Sequence, residues 1–521
     1  MAQAKIARPA VAAMVLVASC ATPGPKEALE PIEADRTSWA SVTDTQSGGA
    51  VTDNWLSDLN DPRVETVVAE ALRSNFDLQA TGQRVASARN QARVARAGLL
   101  PSIDANLGGR RQGGPQVFNG INFGDQFQTT FNTGFNLSWE LDVWGRLTDA
   151  TRAAYLDAAA RELDFAAARL SLAGNASSGH YELTAARLQR QLAERDVATG
   201  QANLRIIERR YQRGISSSLD LRLARSSLAS SDAALQTRIQ QELEAARRLE
   251  VVLGRYPSAT LAAAEALPSL EDLGAERPIE LGSPEELLVR RPDVLAAEAR
   301  LKSAGLRVSE ARKAFLPRLS INAGVTQNAI GPAQVPTGEV DADGNPIFRQ
   351  ERNSVANIAD LWDFDQLFKS LVGNLTQPLF QGGRLIATEK QRKAEARAAL
   401  FDYANTALTA WREVEDAIAA ERLLSTRQDA LDLAFKEAAA AEDLTERRYL
   451  AGTTNIFDLI NAQQRRIQAE GQLIDAQRAR LTNRLDLYLA LGAPYVLEDE
   501  ETELAEAAQM SGKRAREGDP T

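Results

Sequence analysis

The sequence predicts a mixed, mainly α-helical fold. A helix–strand–strand–long helix–helix unit is written twice, and its strands join a membrane-spanning β-barrel. Three observations predict it. Sequence strings recur at fixed offsets, pairs of segments alternate apolar and polar residues, and proline-free stretches place apolar residues seven positions apart.

The repeat comes first because it sets the domain organisation. Arg210-Tyr211-Gln212-Arg213-Gly214 reappears as Arg448-Tyr449-Leu450-Ala451-Gly452, and Leu219-Asp220-Leu221 as Phe457-Asp458-Leu459. Leu253-Gly254 reappears as Leu491-Gly492, and Gly145-Arg146 as Gly383-Arg384. All four pairs share an offset of 238. Upstream, Asp77 matches Asp293 and Leu100-Pro101 matches Leu316-Pro317 at an offset of 216. The difference of 22 requires an insertion, placed in 328–368, where Gly, Pro, Asp and Asn are frequent. The repeats then run over 63–255 and 284–493, joined by the proline-bearing linker 256–283.

Each repeat opens on a helix, 63–98 and 284–315, ended by a Leu-Pro that cannot continue it. Strands follow over 102–112 and 126–143, and over 318–328 and 369–381. From Gln126 to Val143 every odd position is apolar or threonine and every even position is polar or glycine. Ile103, Ala105 and Leu107 alternate in the same way, as do Leu319, Ile321, Ala323 and Val325, and Leu371, Leu375 and Leu379. Period-two alternation means one greasy and one wet face. Read as a transmembrane barrel, it turns Phe131, Phe135 and Trp139 to lipid and Asn132, Asn136 and Glu140 to the lumen. Four strands cannot close a barrel, and an open edge in lipid leaves backbone groups unsatisfied. The barrel is therefore shared, with eight, twelve or sixteen strands from two, three or four copies.

Helical hairpins complete each repeat, over 145–255 and 384–492. Between Gly145 and Tyr211 there is no proline and alanine is abundant. Val197, Leu204 and Tyr211 step by seven, as do Leu221, Leu228 and Leu235, and Ile460, Ile467, Ile474 and Leu481. Sevenfold spacing on helices joined by tight turns is an antiparallel coiled coil.

The chain's start and composition place it and exclude other classes. Lys5 and Arg8 precede an apolar stretch, Pro9 to Ala18, too short to span a bilayer, which makes residues 1–19 a secretory signal. Val17-Ala18-Ser19-Cys20 resembles a lipoprotein cleavage box, leaving Cys20 as an acylated N-terminus of segment 20–62. Each buried CH₂ of such chains contributes ~0.8 kcal/mol of anchoring. Cys20 is the one cysteine and His180 the one histidine, so an internal disulfide or a Cys/His zinc cluster is excluded. His180 lies in a helical pattern, and no constellation points to catalysis or a cofactor. A net charge of −10 argues against nucleic acid. Asp341-Ala342-Asp343-Gly344-Asn345 starts like a calcium loop, but Pro346 and Arg352 stand where glycine and glutamate are needed. The polar tail 494–521 carries a run of acids from 498, ends polar and reads as disordered.

Longer strings carry a family resemblance. They are Leu137-Ser138-Trp139-Glu140-Leu141-Asp142-Val143-Trp144-Gly145-Arg146, Leu288-Val289-Arg290-Arg291-Pro292-Asp293, Phe315-Leu316-Pro317 and Gln377-Pro378-Leu379-Phe380-Gln381-Gly382-Gly383-Arg384. Together they resemble the TolC-like outer-membrane factors, in the lipoprotein branch serving resistance-nodulation-division (RND) pumps. The resemblance implies a homotrimer whose twelve-stranded barrel continues as a periplasmic helical tunnel. It implies a passive exit duct for drugs and other small molecules, partnered by a periplasmic adaptor and an inner-membrane RND pump. It implies a periplasmic gate at the hairpin turns, where Tyr449, Asp458 and Asn461 match the family's positions and Tyr211 and Asp220 are their repeat mates. By the resemblance, Asn461 stands where many relatives carry aspartate, and Thr454 where some carry arginine. The alternative for Tyr449 is packing in the coiled coil, and for Asp458 capping of the return helix. Carboxylates from six such turns would repel one another and attract cations. Two other functions stay open: an exit duct for type I protein secretion, and a coiled-coil scaffold without a channel.

Overall fold

The computed structural model describes residues 39–41, 54–118, 121–270, 272–273, 279–330, 334–340, 346–350, 353–354, 356, 358, 361 and 367–493. The signal segment, Cys20, the 341–345 turn and the tail 494–521 lie outside the described residues. The chain divides into two compact units. Of the described residues, one comprises those of Ala88–Ala158 and Lys302–Ala398; the other comprises those before Ala88, Ala159–Leu301 and those from Ala399 on.

The duplication is visible in the element bounds. Helices α4 (Arg146–Gln212) and α8 (Arg384–Leu450) each have 67 residues, and α5 (Ser218–Val252) and α9 (Ile456–Ala490) each have 35. Start and end coincide under the 238-residue offset. At 1.5 Å per residue, α4 and α8 are each about 100 Å long. All four close on a glycine with positive φ: Gly214, Gly254, Gly452 and Gly492. Each ends in the same pair of backbone bonds. After α4, Ile215 N–H donates to Arg210 O (2.8 Å) and Gly214 N–H to Tyr211 O (2.9 Å); after α8, Thr453 donates to Arg448 O (2.9 Å) and Gly452 to Tyr449 O (3.0 Å). This is the Schellman arrangement, which satisfies orphan carbonyls and needs a left-handed residue.

The opening helices differ from expectation. Each was expected as one helix, 63–98 and 284–315. Instead α2 (Pro62–Ser74) gives way to α3 (Phe76–Ala97), and α6 (Pro284–Arg290) to α7 (Pro292–Lys313). Asn75 and Arg291, at the joints, both leave the helical region, with φ/ψ of −67/122 and −68/122. Pro292 forbids the α conformation to Arg291. No proline follows Asn75, where the side chain does the work: Oδ1 accepts from Leu78 N–H (2.9 Å) and Nδ2 donates to Val252 O (2.9 Å). Arg291 makes the equivalent bond in the second repeat, Nη1 to Ala490 O (3.0 Å). It also meets Asp293 and Glu413, each at 2.7 Å. Burial raises the Asp293 carboxyl, but hydrogen bonding and the Arg291 charge outweigh it and hold it below its ordinary value.

Small residues build the core of this second unit. Ala173, Ala176, Ala245, Ala246, Ala407 and Ala410 are buried in one cluster with Leu249, Leu485 and Tyr488, so the helices approach closely. Trp55 of α1 (Trp55–Leu59) is fully buried in it, its ring 6.2 Å from that of Tyr488. His180 is packed in α4 beside Tyr181, whose hydroxyl donates to Asp61 Oδ2 (3.2 Å). Burial pulls the His180 pKa down, Asp61 opposing it and Arg63 adding to it. The linker is tied at its start by buried Glu250, which accepts from the N–H groups of Ala259 (2.7 Å), Thr260 (2.8 Å) and Leu261 (3.1 Å).

The first unit holds an antiparallel sheet of order β1 (Ser102–Phe118), β2 (Ile121–Leu141), β3 (Arg318–Ile330) and β7 (Phe368–Thr376). The first hairpin is longer than the expected 102–112 and 126–143 at its tip, and β2 stops at Leu141. There Asp142 turns away to cap α4, accepting from Leu147 N–H (2.9 Å) and Thr148 N–H (2.8 Å). Strand β7 ends at Thr376 rather than 381. Pro378 cannot donate to a ladder, and Leu379, expected in the alternation, lies beyond the strand and exposed. The insertion carries a hairpin of its own, β4 (Gln334–Val340) with β5 (Pro346–Gln350), and β6 (Asn353–Ser354) pairs parallel to β2.

The glycine caps are not equivalent in cost. A Cβ on Gly254 (φ 70) would sit 2.4 Å from Ser74 O, whereas one on Gly214 (φ 71) would meet nothing within 4 Å. Gly214→Ala carries only the strain of a left-handed residue, about 1 kcal/mol. Gly254→Ala adds a backbone clash, about 1–3 kcal/mol more. Thermal unfolding followed by circular dichroism should rank Gly254→Ala well below Gly214→Ala; equal melting would contradict the close approach.

Candidate channel wall and gate

The sheet has two chemically distinct faces in one register. Ile103, Ala105 and Leu107 of β1 stand beside Leu137, Phe135 and Thr133 of β2. These continue to Ala323, Val325 and Gln327 of β3, and then to Leu371 and Lys369 of β7. Phe135 is 63% exposed and Leu371 78% exposed, so this apolar face is bare over its middle. Arg111 interrupts it but lays its guanidinium 5.4 Å over the Phe127 ring. Phe131 differs from its neighbours: Ala329, Ala356 and Leu361 cover it, the last two from the inserted segment. Trp139 anchors the other end, its Nε1–H donating to Leu99 O (3.0 Å).

The opposite face is a lattice of asparagine and glycine. Asn136 Nδ2 donates to Asn106 Oδ1 (2.9 Å), and Asn132 packs so close to Gly108 that a Cβ there would lie 2.6 Å from its Oδ1. Gly134 is as tight, 2.5 Å from Val325 O. Glu140 does not stand free on this face: it accepts from Arg146 Nη2 at 2.8 Å. In the sheet register Phe131, Phe135 and Trp139 share one side and Asn132, Asn136 and Glu140 the other.

In the second unit the two hairpin turns lie together. Tyr449 is 7% exposed and packs with Ile207, Ala224, Ile456 and Leu459. Arg210 covers it, with Cζ 5.0 Å from the ring centroid and Nη1 3.5 Å from Tyr449 O. Burial holds the Tyr449 hydroxyl above its ordinary pKa; Arg210 opposes this and Asp220 adds to it. Its repeat mate Tyr211 is 44% exposed. Asp220 forms a capping box with Ser217: Ser217 N–H donates to Oδ2 (2.9 Å), and Ser217 Oγ accepts from Asp220 N–H (3.1 Å). Asp458 occupies the same helical position without being the cap. Asn455 is the cap, accepting from Asp458 N–H (2.9 Å), and Thr454 Oγ1 donates to Asp458 Oδ2 (2.6 Å). Asn461 is half-buried on the next turn.

Arg210 and Asn455 were missed in the sequence. Arg210 belongs to the repeated Arg-Tyr string, but nothing in that string says which tyrosine a guanidinium will cover. Asn455 had a legible signal, a capping residue three positions before Asp458. Among the described residues no helix is long and apolar enough to cross a membrane, and no group of His, Cys, Asp and Glu could hold a metal ion.

Known proteins share this arrangement. The family model for outer membrane efflux protein matches residues 67–255 and 283–493, one segment for each repeat. The pyoverdine export outer membrane protein OpmQ of Pseudomonas putida is 29% identical over 464 residues, covering 87% of this chain and 91% of its own. The outer membrane protein OprJ of Pseudomonas aeruginosa is 29% identical over 462 residues, covering 87% and 89%. A crystal structure of a membrane protein from Pseudomonas aeruginosa superposes with a TM-score of 0.72 at 27% identity, covering 87% of this chain and 100% of that one. With the family model spanning both repeats, the chain belongs to the outer membrane efflux protein family and is a TolC-like efflux channel of the outer membrane.

Proposed function

We propose that three copies of the chain form the exit duct of a tripartite RND-type efflux system. The duct takes drugs and other small molecules from an inner-membrane pump and its periplasmic adaptor, and conducts them passively. The observation that carries this reading is the sheet: a bare apolar face, an asparagine–glycine face, and two outer strands, β1 and β7, that end the order. Unpaired edges are untenable in hydrocarbon. Strand β7 runs antiparallel to β1, so β7 of one copy continues the ladder onto β1 of the next. Head-to-tail pairing of this kind closes a ring, and three copies give the family's twelve strands.

The hairpins support the same assembly. Within the chain, α4 is paired with α9: Gln189 Nε2 donates to Gly471 O (2.8 Å) and Asn203 Nδ2 to Gln463 Oε1 (3.0 Å). Helix α8, the repeat mate of α4, leaves Phe401, Leu408, Leu423, Leu433 and Leu444 exposed. At 100° per residue these five fall within one narrow sector of the helix. By the repeat, the missing partner of α8 is the α5 of a neighbouring copy. Purified protein in planar bilayers should give discrete conductance steps, and a solution mass of three chains. A scaffold would give neither.

Three outcomes test the parts of this reading. Arginine at Phe135, on the lipid face near mid-bilayer, should cost about 2–4 kcal/mol, while the same change at Asn136 should alter mainly conductance. Equal yields of heat-resistant trimer from Phe135→Arg and Asn136→Arg would reverse the face assignment. Cys20 carries the acyl anchor in this reading, so clickable palmitate should mark the wild type and not Cys20→Ser. Labelling of both to the same extent would remove the anchor. Tyr449 and Asp458, with Asn461, Tyr211 and Asp220, restrict the periplasmic end. The double variant Tyr449→Ala/Asp458→Ala should therefore raise single-channel conductance and the entry of large antibiotics. Unchanged conductance would leave both residues with packing and turn-bonding roles alone.

A further inference from the structure

We infer that the hairpin turns give this channel a preference for anions, and so for cargo bearing carboxylates or other anionic groups. The inference rests on the channel reading above. In the first repeat, the last turn of α4 and the first turns of α5 bring Arg209, Arg210, Arg213 and Arg222 against one carboxylate, Asp220. In the second repeat, Arg447 and Arg448 stand against Asp458. The contact of Arg210 with Tyr449 places both turns at one site of the second unit.

The nearby charges do not cancel this excess. One turn back, Glu208 is paired with Arg225 (3.0 Å), and Asp443 is paired with Arg447. Glu446 is the remaining carboxylate, which still leaves arginines in excess. Helix dipoles are balanced at the turns, because each hairpin contributes one C-terminus and one N-terminus there. Asp220 and Asp458 each hold a hydrogen bond at the start of a return helix, facing its positive end. The guanidinium groups of Arg213, Arg222 and Arg448 are exposed and hold no hydrogen bond or ion pair among the described residues. They are the charges left to face the solvent that fills the opening. Arg213 and Arg222 have no basic counterpart in the second repeat, where Ala451 and Ile460 stand.

The sheet supplies no opposing field. On its polar face Asp104 and Glu140 are matched by Arg110 and Arg318. The sign of selectivity is then set at the turns. Rings of arginine or lysine favour anions, and a constriction lined with one sign of charge concentrates the opposite ion. Carboxylates converging on the axis would favour cations, but here they are outnumbered.

Zero-current potentials decide between the two signs. Full-length protein is reconstituted in planar bilayers with a potassium chloride gradient. The wild type should settle toward the chloride equilibrium potential. Arg213→Glu/Arg222→Glu/Arg448→Glu should shift it toward the potassium value, and Arg213→Gln/Arg222→Gln/Arg448→Gln should fall between. A conducting wild type that prefers potassium, or a potential unmoved by the three reversals, would overturn the inference while leaving the channel intact. Absence of any conductance would instead overturn the channel reading, and this inference with it.

Discussion

Backbone hydrogen bonding in a medium without water governs how this sheet must be completed. Each N–H or C=O left unpaired in hydrocarbon costs several kcal/mol, far more than any single side-chain contact returns. A four-stranded sheet has two such edges, and here one of its faces is bare and apolar. The described residues of the insertion between β3 and β7 do not remedy this, since they form a separate two-stranded hairpin and a short strand against β2. In the proposed assembly the solution lies in more copies, and oligomerisation follows from the sheet's own geometry.

Duplication makes that solution economical. The two repeats have matching hairpin bounds, matching glycine caps and matching joints at Asn75 and Arg291. A chain that pairs its first outgoing helix with its second returning helix leaves the complementary pair open, and the open pair is what a neighbour can fill. The same bonding task is met by different chemistry in each repeat. Asn75 reaches the end of α5 with an amide, whereas Arg291 reaches the end of α9 with a guanidinium that two carboxylates also hold. The positions match, and the side chains have diverged around a fixed backbone requirement.

Divergence is greatest at the turns. Tyr449 is sealed beneath Arg210, while Tyr211, in the same place of the other repeat, is open to solvent. Capping keeps both turns rigid through Ser217 and Asn455, so that side chains projecting from them are held by a preorganised frame. Part of the charge there serves the frame itself, Asp220 in the capping box and Arg210 over Tyr449, while Arg213, Arg222 and Arg448 stay exposed.

The duplication, the strand alternation, the long hairpins and the turns that end them are all legible from the residues alone. Each of these is a local or periodic property: φ > 0 at a glycine, a period of two, a spacing of seven, a capping residue. The sequence predicted unbroken opening helices and a β7 running to 381, and the structure breaks the first at Asn75 and Arg291 and ends the second at Thr376. The kink at Asn75 is set by an asparagine's bonds to a helix 177 residues away, and β7 ends before a proline placed inside the expected strand. Packing in the folded chain settles which tyrosine is buried, that Glu140 is paired with Arg146, and that Phe131 is covered by Ala356 and Leu361. The buried tyrosine and the covered phenylalanine depend on contacts between segments far apart in the chain, and Glu140 meets Arg146 because the chain turns sharply between β2 and α4; repeated strings are by their nature silent on which copy receives the partner.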